Sequence, residues 1–302
     1  MNHNPHDPVL NNDQVLEIAG RHAKSERVTG VEESGGEARA YCIDTDKVLK
    51  VQRPHRVREK TSQEREVLFL NALGAFPEVT VPEVLGYGRE NDQIEYTLMS
   101  RMPGRAMRIV HPTGEKRTEI LFNLGQMLYF LHNLPDQEGF LHSGLFPIDR
   151  DQQDLAKRLI EPLRDLADQI SQENLEWALS LTPQQIVEKV SGIIQYDEKR
   201  ALHSNPALSH TFVDPASQML TGLIDLGDAY ISHPSNDLRR FPSPRDRHEL
   251  FDGYNSLKKA DDPFMSVWVA NQLLSDFACI AHDNEFKPEA LTEVREIVEH
   301  YL

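Results

Sequence analysis

The sequence contains little cysteine and no long apolar segment. Cys42 and Cys279 are its two cysteines among 302 residues, and they lie far apart. Neither a disulfide framework nor a thiolate metal site is indicated, so we expect a cytoplasmic location. The apolar runs fall short of the ~20 residues that a membrane-spanning helix needs. The polar N-terminus also lacks the apolar core of a signal peptide, and we expect no membrane partner.

Positive charge is scarce as well. The chain has 48 acidic and 32 basic residues, which gives a net charge of −16. Because nucleic-acid affinity comes largely from Lys and Arg contacts to phosphates, no nucleic-acid partner is expected. The acidity indicates either a solvated surface or a field that attracts cationic ligands or metal-bound nucleotides. The length suggests roughly two domains, enough for a core without disulfides or structural metal.

The spacing of apolar residues predicts a sheet-rich N-terminal part and a larger helical part. Residues 13–24 are typical of an amphipathic helix with Asn12 or Asp13 as N-cap, and three strands follow within 27–51. The later segments are a helix at 60–74, a strand over IEYTLMSRM, a Pro-Gly break at 103, a helix at 118–134, two or three helices in 150–195 interrupted at Pro162 and Pro183, a hairpin in 208–231, and helices in 245–301.

Four chemical features occur in a fixed order. They are the Gly turn Ser34-Gly35-Gly36, Lys50 in an apolar strand, Glu66 on the next helix, and Asp225 in a turn after an apolar strand. Paired glycines let a backbone approach phosphate closely, and a carboxylate in a turn suits Mg²⁺. Each feature alone is also compatible with an ordinary turn or a solvated side chain. Together, in this order, they match the parts needed for kinase-type phosphoryl transfer.

Six segments between residues 27 and 240 resemble the aminoglycoside phosphotransferase family. They are SGGEARAYCIDTDKVLKVQRP, EREVLFLNALG, VPEVLGYG, YTLMSRMPGRAM, LGQMLYFLHNLP and HTFVDPASQMLTGLIDLGDAYISHPSNDL. The resemblance implies an α+β, bilobal, protein-kinase-like fold. We therefore expect a small antiparallel-sheet lobe at 1–102, a hinge at about 99–103, and a mainly helical lobe at 103–302. A catalytic and metal-binding hairpin is expected at 203–228.

The resemblance also implies roles for individual residues. The nucleotide, ATP or GTP, would contact Ser34, Gly35, Gly36, Lys50, Glu66, Met99, Ser100 and Met102. Lys50 would hold the α- and β-phosphates while pairing with Glu66. The backbone from Ser100 to Met102 would meet the purine, with Met99 at the back of the pocket. Asp225 would bind Mg²⁺, and Asp237 would support the catalytic loop.

The catalytic loop departs from the family pattern at two positions. The family has His-Gly-Asp, four residues and Asn, whereas this chain has His203-Ser204-Asn205 and then His210. Asn205 stands where the catalytic Asp is expected, and an amide cannot accept a proton at neutral pH. His210 stands where a metal-binding Asn is expected, as a softer ligand or as a structural histidine. His203, His210 or Asp228 could serve as proton acceptor instead.

Two functions are consistent with this pattern. The first is an ATP- or GTP-dependent, catalytically atypical O-phosphotransferase acting on an alcohol group of a small hydroxylated metabolite or aminoglycoside-like antibiotic. The second is a pseudokinase that binds nucleotide or metabolite without efficient transfer. Six acidic residues would border a pocket for a cationic acceptor or form a solvated surface: Asp149, Asp151, Asp154, Glu161, Asp165 and Asp168. The acceptor, the purine and the choice of monomer or homodimer stay open.

Overall fold

The structure is a computed structural model of the chain. This structure describes residues 9–33, 35–53, 62–90, 94–135, 137–172, 177, 179–196 and 198–302. Ser34 of the expected Gly turn therefore lies outside the described residues. Both cysteines are free.

An antiparallel sheet of five strands forms the N-terminal part, in the order β1-β2-β3-β5-β4. The strands are β1 Val28–Glu32, β2 Ala38–Ile43, β3 Lys47–Gln52, β4 Val84–Glu90 and β5 Ile94–Ser100. Two helices accompany them, α1 Asn12–Gly20 and α2 Ser62–Leu73. The side chains of β3 alternate between the two faces of the sheet. Leu49 and Val51 join the core under α1, so Lys50 faces the other way.

Helix α1 begins one residue earlier than the spacing predicts. Asn11 is the N-cap, because its side chain accepts a hydrogen bond from the N–H of Gln14 while Gln14 bonds back to the cap. This reciprocal capping box satisfies two backbone donors at once, which neither Asn12 nor Asp13 does. The helix ends at Gly20 rather than continuing to residue 24.

The remainder of the chain is mainly helical. Its helices are α3 Met107–Val110, α4 Gly114–His132, α5 Gln137–Ser143, α6 Gln152–Gln172, α7 Pro183–Ile193, α8 Ser235–Leu238, α9 Pro244–Leu257, α10 Asp262–Ala281 and α11 Lys287–Tyr301. Helices α4 and α9 approach closely at two glycines. A Cβ at Gly125 would overlap the backbone of α9, and one at Gly253 would overlap that of α4. This tight contact organises the core behind the site.

Short strands carry the segment expected to form a hairpin. They are β6 Arg105–Ala106, β7 Arg200–Leu202, β8 Thr211–Val213, β9 Leu220–Leu223 and β10 Tyr230–Ser232. Strands β8 and β9 pair antiparallel, and β7 pairs with β10. The turn between β8 and β9 is closed by Asp214, whose carboxylate accepts from the N–H groups of Ala216 and Ser217. The α+β class and the division into a sheet part and a helical part are confirmed.

Two helices differ from the sequence-based expectations. Pro162 lies inside α6 and does not end it, because apolar side chains on both sides of the proline remain buried in one continuous face. Among the described residues, only α10 is long and apolar enough to cross a membrane, and 83% of its apolar window is buried within the protein. The expectation that no apolar segment reaches this length was therefore wrong. Buried polar residues such as Asn271 and Asp276 interrupt its apolar spacing.

Candidate active site

Lys50 lies at the junction of the sheet, helix α2 and the helical part. Its ammonium donates to Glu66 Oε2 at 2.8 Å and to Asp225 Oδ1 at 2.6 Å. The Glu66 side chain is only 2% exposed and that of Lys50 is 20% exposed. Asp225 follows strand β9 in the left-handed conformation, with φ of 67°. One cation therefore links three elements that are far apart in the chain.

The protonation states at this junction follow from its charges. Burial alone would lower the pKa of Lys50, but the carboxylates of Asp225 and Glu66 raise it above the ordinary value. In turn, Lys50 holds the pKa of Asp225 well below its usual range. The ammonium and the Asp225 carboxylate are thus ionised at neutral pH. Two carboxylates around one ammonium leave an excess of negative charge, which suits a divalent cation.

Helix α2 is fixed in the orientation that presents Glu66 to Lys50. Glu66 Oε1 accepts from the N–H of Leu226 at 3.1 Å, and Arg65 donates to the carbonyl oxygens of Leu145 and Gly227 at 2.9 Å each. The sequence analysis missed Arg65, because a charged residue on a helix is typical of a solvated face. Its position next to Glu66 was the available signal.

The glycine turn between β1 and β2 is held in place by hydrogen bonds from an arginine side chain. Arg53 donates to the carbonyl oxygen of Glu33 at 3.0 Å and to that of Gly35 at 3.1 Å. A Cβ at Gly35 would come within 2.7 Å of the Ala38 carbonyl oxygen, whereas one at Gly36 would meet open space. The close approach of residue 35 to the Ala38 carbonyl oxygen therefore requires a glycine at position 35, whereas position 36 does not require one.

The expected hinge lies at the end of β5. Met99 and Met102 are buried. The N–H of Ser100 donates to the carbonyl of Glu83 at 2.8 Å, so it is already used within the protein. The N–H of Met102 makes no hydrogen bond to any residue that the structure describes. The hinge therefore offers Met102 rather than Ser100 as a backbone donor for a ligand.

Asp237 organises the catalytic loop. Its carboxylate accepts from the N–H groups of His203 and Ser204, each at 2.8 Å, and from Nε2 of His132 at 2.9 Å. Burial alone would raise the pKa of Asp237, but the hydrogen bond from His132 and the nearby charges lower it. Ser204 adopts a left-handed conformation with φ of 83°, which a non-glycine residue keeps only when its surroundings enforce it. Asp237 supplies that constraint.

His203 lies beneath the loop, fully buried, and both of its ring nitrogens are engaged. Nε2 donates to the carbonyl of Ile224 at 3.0 Å, and Nδ1 accepts from the N–H of Asn205 at 3.3 Å. Burial lowers the pKa of His203 to about 4. A neutral ring without a free lone pair cannot accept a proton from a ligand, so the expectation of a catalytic role for His203 is corrected to a structural one.

His210 faces Asp225 across the base of the cleft. Its Nδ1 is 2.8 Å from the carbonyl oxygen of Asn205, which can only accept, so Nδ1 carries the proton. The other ring nitrogen, Nε2, lies 3.4 Å from Asp225 Oδ2. An imidazole nitrogen and a carboxylate oxygen at this distance could both bind one cation. In the described ranges, no three or more His, Cys, Asp or Glu side chains are grouped so that they could hold a metal ion, so a metal here would need further ligands from substrate or water.

Asn205 reaches a different part of the cleft. Its side-chain amide is half-buried and makes no hydrogen bond within the described part of the chain. It lines a cavity of about 500 Å³ bounded by α6, residues 239–242 and α10. The amide is therefore available to a ligand in that cavity, as donor and as acceptor.

The acidic residues considered as a pocket border are placed elsewhere. Asp149 is buried and accepts from Arg158 at 2.6 and 2.9 Å and from Ser232 at 2.6 Å. Asp151 caps the start of α6 through the N–H groups of Gln153 and Asp154. None of the six acidic residues lines the cavity beside Asn205. The structure gives them no part in a cationic pocket there.

The sequence matches a known protein family over most of its length. The profile of the family described as "Phosphotransferase enzyme family" matches residues 30–255. No curated protein matches the sequence significantly.

Several solved structures share the fold over nearly the whole chain. Wild-type aminoglycoside 2'-phosphotransferase-IIIa in complex with GDP is 16% identical, with a TM-score of 0.61 over 95% of this chain and 97% of that one. Macrolide 2'-phosphotransferase MphH from Brachybacterium faecium is 17% identical, with a TM-score of 0.60 over 93% and 97%. The streptomycin–ATP complex of APH(2")-IIa is 16% identical, with a TM-score of 0.56 over 96% and 97%. At these identities the likeness establishes the fold.

Proposed function

This chain belongs to the phosphotransferase enzyme family, and from that premise we propose that it transfers a phosphoryl group from ATP or GTP to an alcohol group of a small molecule. The observation that carries the proposal is the bonding of Lys50 to Glu66 and Asp225 at 2.8 and 2.6 Å. Three separate elements converge on one partly buried ammonium. This is the arrangement that kinase-type phosphoryl transfer requires.

The residues of the nucleotide side divide the work of positioning. Lys50 would bind the α- and β-phosphates, and Glu66, which accepts from the N–H of Leu226, keeps the ammonium in place. Arg65 donates to the carbonyl oxygen of Gly227 and so fixes the helix that carries Glu66. The N–H of Met102 is the donor available to the base of the nucleotide. Because phosphoryl transfer needs little covalent participation by the protein, positioning and charge neutralisation supply most of the rate enhancement.

Asp225 and His210 are the residues that would hold Mg²⁺. The 3.4 Å distance between His210 Nε2 and Asp225 Oδ2 is the observation that fits a shared cation. When bound, the ion would neutralise charge on the phosphate oxygens. The imidazole makes this site softer than a carboxylate–amide pair, so Mn²⁺ is expected to replace Mg²⁺ effectively.

Turnover is expected to be slow because no strong base lies on the acceptor loop. Asn205 cannot accept a proton, and His203 is buried with both nitrogens engaged. General base catalysis typically contributes ~10²–10⁴-fold. Asp228, on the turn after Asp225, is a carboxylate that could accept the proton instead. Partial burial and the charges of Asp225 and Glu37 raise its pKa, which makes it a better proton acceptor than an ordinary aspartate.

The alternative is a nucleotide-binding protein without efficient transfer, which the amide at Asn205 favours. The solved relatives include complexes with GDP, with ATP and streptomycin, and with GDP and kanamycin. These complexes support nucleotide binding, which both candidate functions share.

Two measurements on the wild-type protein test the proposal. Thermal unfolding with ATP or GTP, each with and without Mg²⁺, should show metal-dependent stabilisation of about 2.7 kcal/mol at 100 times Kd. Phosphorus NMR with a panel of hydroxylated acceptors that includes kanamycin should then detect a phosphorylated product. Stabilisation without any product supports the nucleotide-binding alternative. Absence of stabilisation by either nucleotide contradicts both functions.

A further inference from the structure

The cavity beside Asn205 carries an unusual concentration of positive charge. We call it the arginine cavity. Its wall contains Arg158, Arg239 and Arg240 together with Asn205, and an apolar side that includes Phe241 and Leu274. Among the described residues no carboxylate lines it, although the whole protein has a net charge of −16. The charge of the cavity wall is therefore opposite in sign to the net charge of the chain.

Only one of the three guanidinium groups is neutralised by the protein. Arg158 makes a two-point ion pair with Asp149, at 2.6 and 2.9 Å, and stacks over the ring of Tyr230 at 4.3 Å. The side chains of Arg239 and Arg240 have no hydrogen bond or ion pair with any residue that the structure describes. The Nε atom of each is buried without a partner.

Two buried carboxylates near this part of the chain are already engaged. Asp149 is bonded to Arg158, and Asp237 is bonded to His132 and to the loop backbone. Burial and the neighbouring charge of Arg240 lower the pKa of Arg239 to about 10, so the Arg239 guanidinium remains charged at neutral pH. Buried donors without partners cost about 1–3 kcal/mol each. A bound anion would offset this cost.

We propose that the arginine cavity is the acceptor site and that the acceptor carries an anionic group, phosphate or carboxylate, bound by Arg239 and Arg240. Guanidinium groups match both oxyanions with paired N–H donors. Phe241 and Leu274 would pack against the carbon skeleton. The proposal deepens the proposed phosphotransferase function and rests on it, since it assigns the class of acceptor for the same reaction.

Asn205 connects the cavity to the chemistry. A carboxylate at this position would repel an anionic acceptor, whereas the amide can donate to the anion or accept from the reacting hydroxyl. In the transfer, the acceptor oxygen forms a bond to the γ-phosphorus. The bond between that phosphorus and the β–γ bridging oxygen breaks, the nucleoside diphosphate leaves with the electron pair, and the hydroxyl proton passes to Asp228 or to solvent.

Calorimetric titration with defined probes tests the proposal. The probes are glucose 6-phosphate for the phosphate source, glucuronate for the carboxylate source, glucose as the uncharged control and kanamycin as the cationic one. Each is titrated in the wild-type and Lys50→Ala backgrounds, so that binding of an anion at Lys50 is recognised. We expect one of the two anions to bind in both backgrounds and to bind at least about tenfold more tightly than glucose or kanamycin.

Variants of the cavity make the test specific. Arg239→Gln/Arg240→Gln should weaken anion binding by about tenfold or more for each guanidinium removed. Arg245→Gln/Arg295→Gln removes the same charge from exposed positions and should leave anion affinity within about twofold. If the arginine double variant does not fold, Ala278→Glu places a carboxylate in the cavity wall and should also abolish anion binding.

The outcomes separate this proposal from the proposed function. If neither anion binds, or if binding is unchanged in both cavity variants, the anionic acceptor site is wrong, even where Mg-ATP still stabilises the protein. If an anion binds through Arg239 and Arg240 but no nucleotide stabilises the wild type, the anion site stands and the phosphotransferase function fails. Tighter binding of kanamycin than of either anion also overturns the proposal.

Discussion

On one side of the cleft, Lys50 lies between two carboxylates that neutralise it, whereas on the other side Arg239 and Arg240 lie beside Asn205 without a bonded carboxylate in the described chain. The nucleotide side is therefore complete in itself, and the acceptor side is complete only with a ligand. The nucleotide side is suited to a cation bound to a nucleotide, whereas the acceptor side is suited to an anion. The family motif predicts the nucleotide side, because the residues of that side bond to one another.

The largest expected effect comes from giving the acceptor side the base that it lacks. Asn205→Asp should raise kcat by ~10²–10⁴-fold, because a carboxylate can accept the hydroxyl proton. If the acceptor is anionic, the same carboxylate should raise its KM through repulsion in the shared cavity. Steady-state kinetics with the best-binding acceptor separate the two effects.

Asn205→Ala serves as the matched control for that comparison. It removes the amide without supplying a base, so kcat should not rise. Equal kcat values for the wild type and Asn205→Asp would mean that the acceptor loop does not limit the rate. A wild-type kcat within the usual kinase range of ~1–100 s⁻¹ would also contradict an impaired acceptor side.

A smaller effect concerns the loop that joins the two sides. The pKa of His203 is about 4 in the folded protein, below the ordinary value of about 6.5. Between these values the unfolded chain binds a proton that the folded chain does not, so stability is full above pH 6.5 and falls toward pH 4. This histidine alone should lower the unfolding free energy by about 2 kcal/mol between pH 7 and pH 5.

Urea unfolding at both pH values measures this difference. His233, whose pKa burial lowers to about 3, contributes in the same direction, so the comparison must be made between variants. In His203→Gln the decrease between pH 7 and pH 5 should be about 2 kcal/mol smaller than in the wild type. An identical decrease in both proteins would show that His203 is not held as a neutral buried ring.

The smallest expected effect tests the glycine turn on the nucleotide side. Gly35→Ala should destabilise the protein by about 1 kcal/mol or more, because the new Cβ would press on the Ala38 carbonyl oxygen. Gly36→Ala meets open space and should change stability by less than about 0.5 kcal/mol. Thermal unfolding of the pair checks the difference. Equal effects would contradict the close approach at Gly35.

The sequence was informative where a side chain has a specific partner at a characteristic position. Lys50, Glu66 and Asp225 could be ordered along the chain in advance, although 175 residues separate Lys50 from Asp225. The sheet-rich part and the helical part followed from the change in apolar spacing near residue 103, and the α+β class followed from the family resemblance. The start of α1 was misplaced by one residue. Adjacent Asn and Asp residues are equally suitable N-caps by residue type, and only the side-chain geometry shows which of them forms the capping box.

The remainder depended on packing that spacing does not encode. The burial of His203 was not predictable, since a histidine in a motif is equally typical of a base and of a structural ring. Arg239 and Arg240 follow a recognised motif in sequence but look like solvated charges until α6 and α10 enclose them. Asp149 was considered for the border of a cationic pocket, but Arg158, nine residues further along the chain, neutralises it. That ion pair was not evident from the sequence.

Calorimetric titration of Mg-ATP into the wild type, Lys50→Ala and Arg239→Gln/Arg240→Gln tests the division of the cleft most directly. The account predicts that Lys50→Ala weakens nucleotide binding by about 100-fold, a loss typical of removing a strong charged contact from a buried site, while the arginine double variant binds like the wild type. Unchanged nucleotide affinity in Lys50→Ala, or an equal loss in the arginine variant, would contradict it.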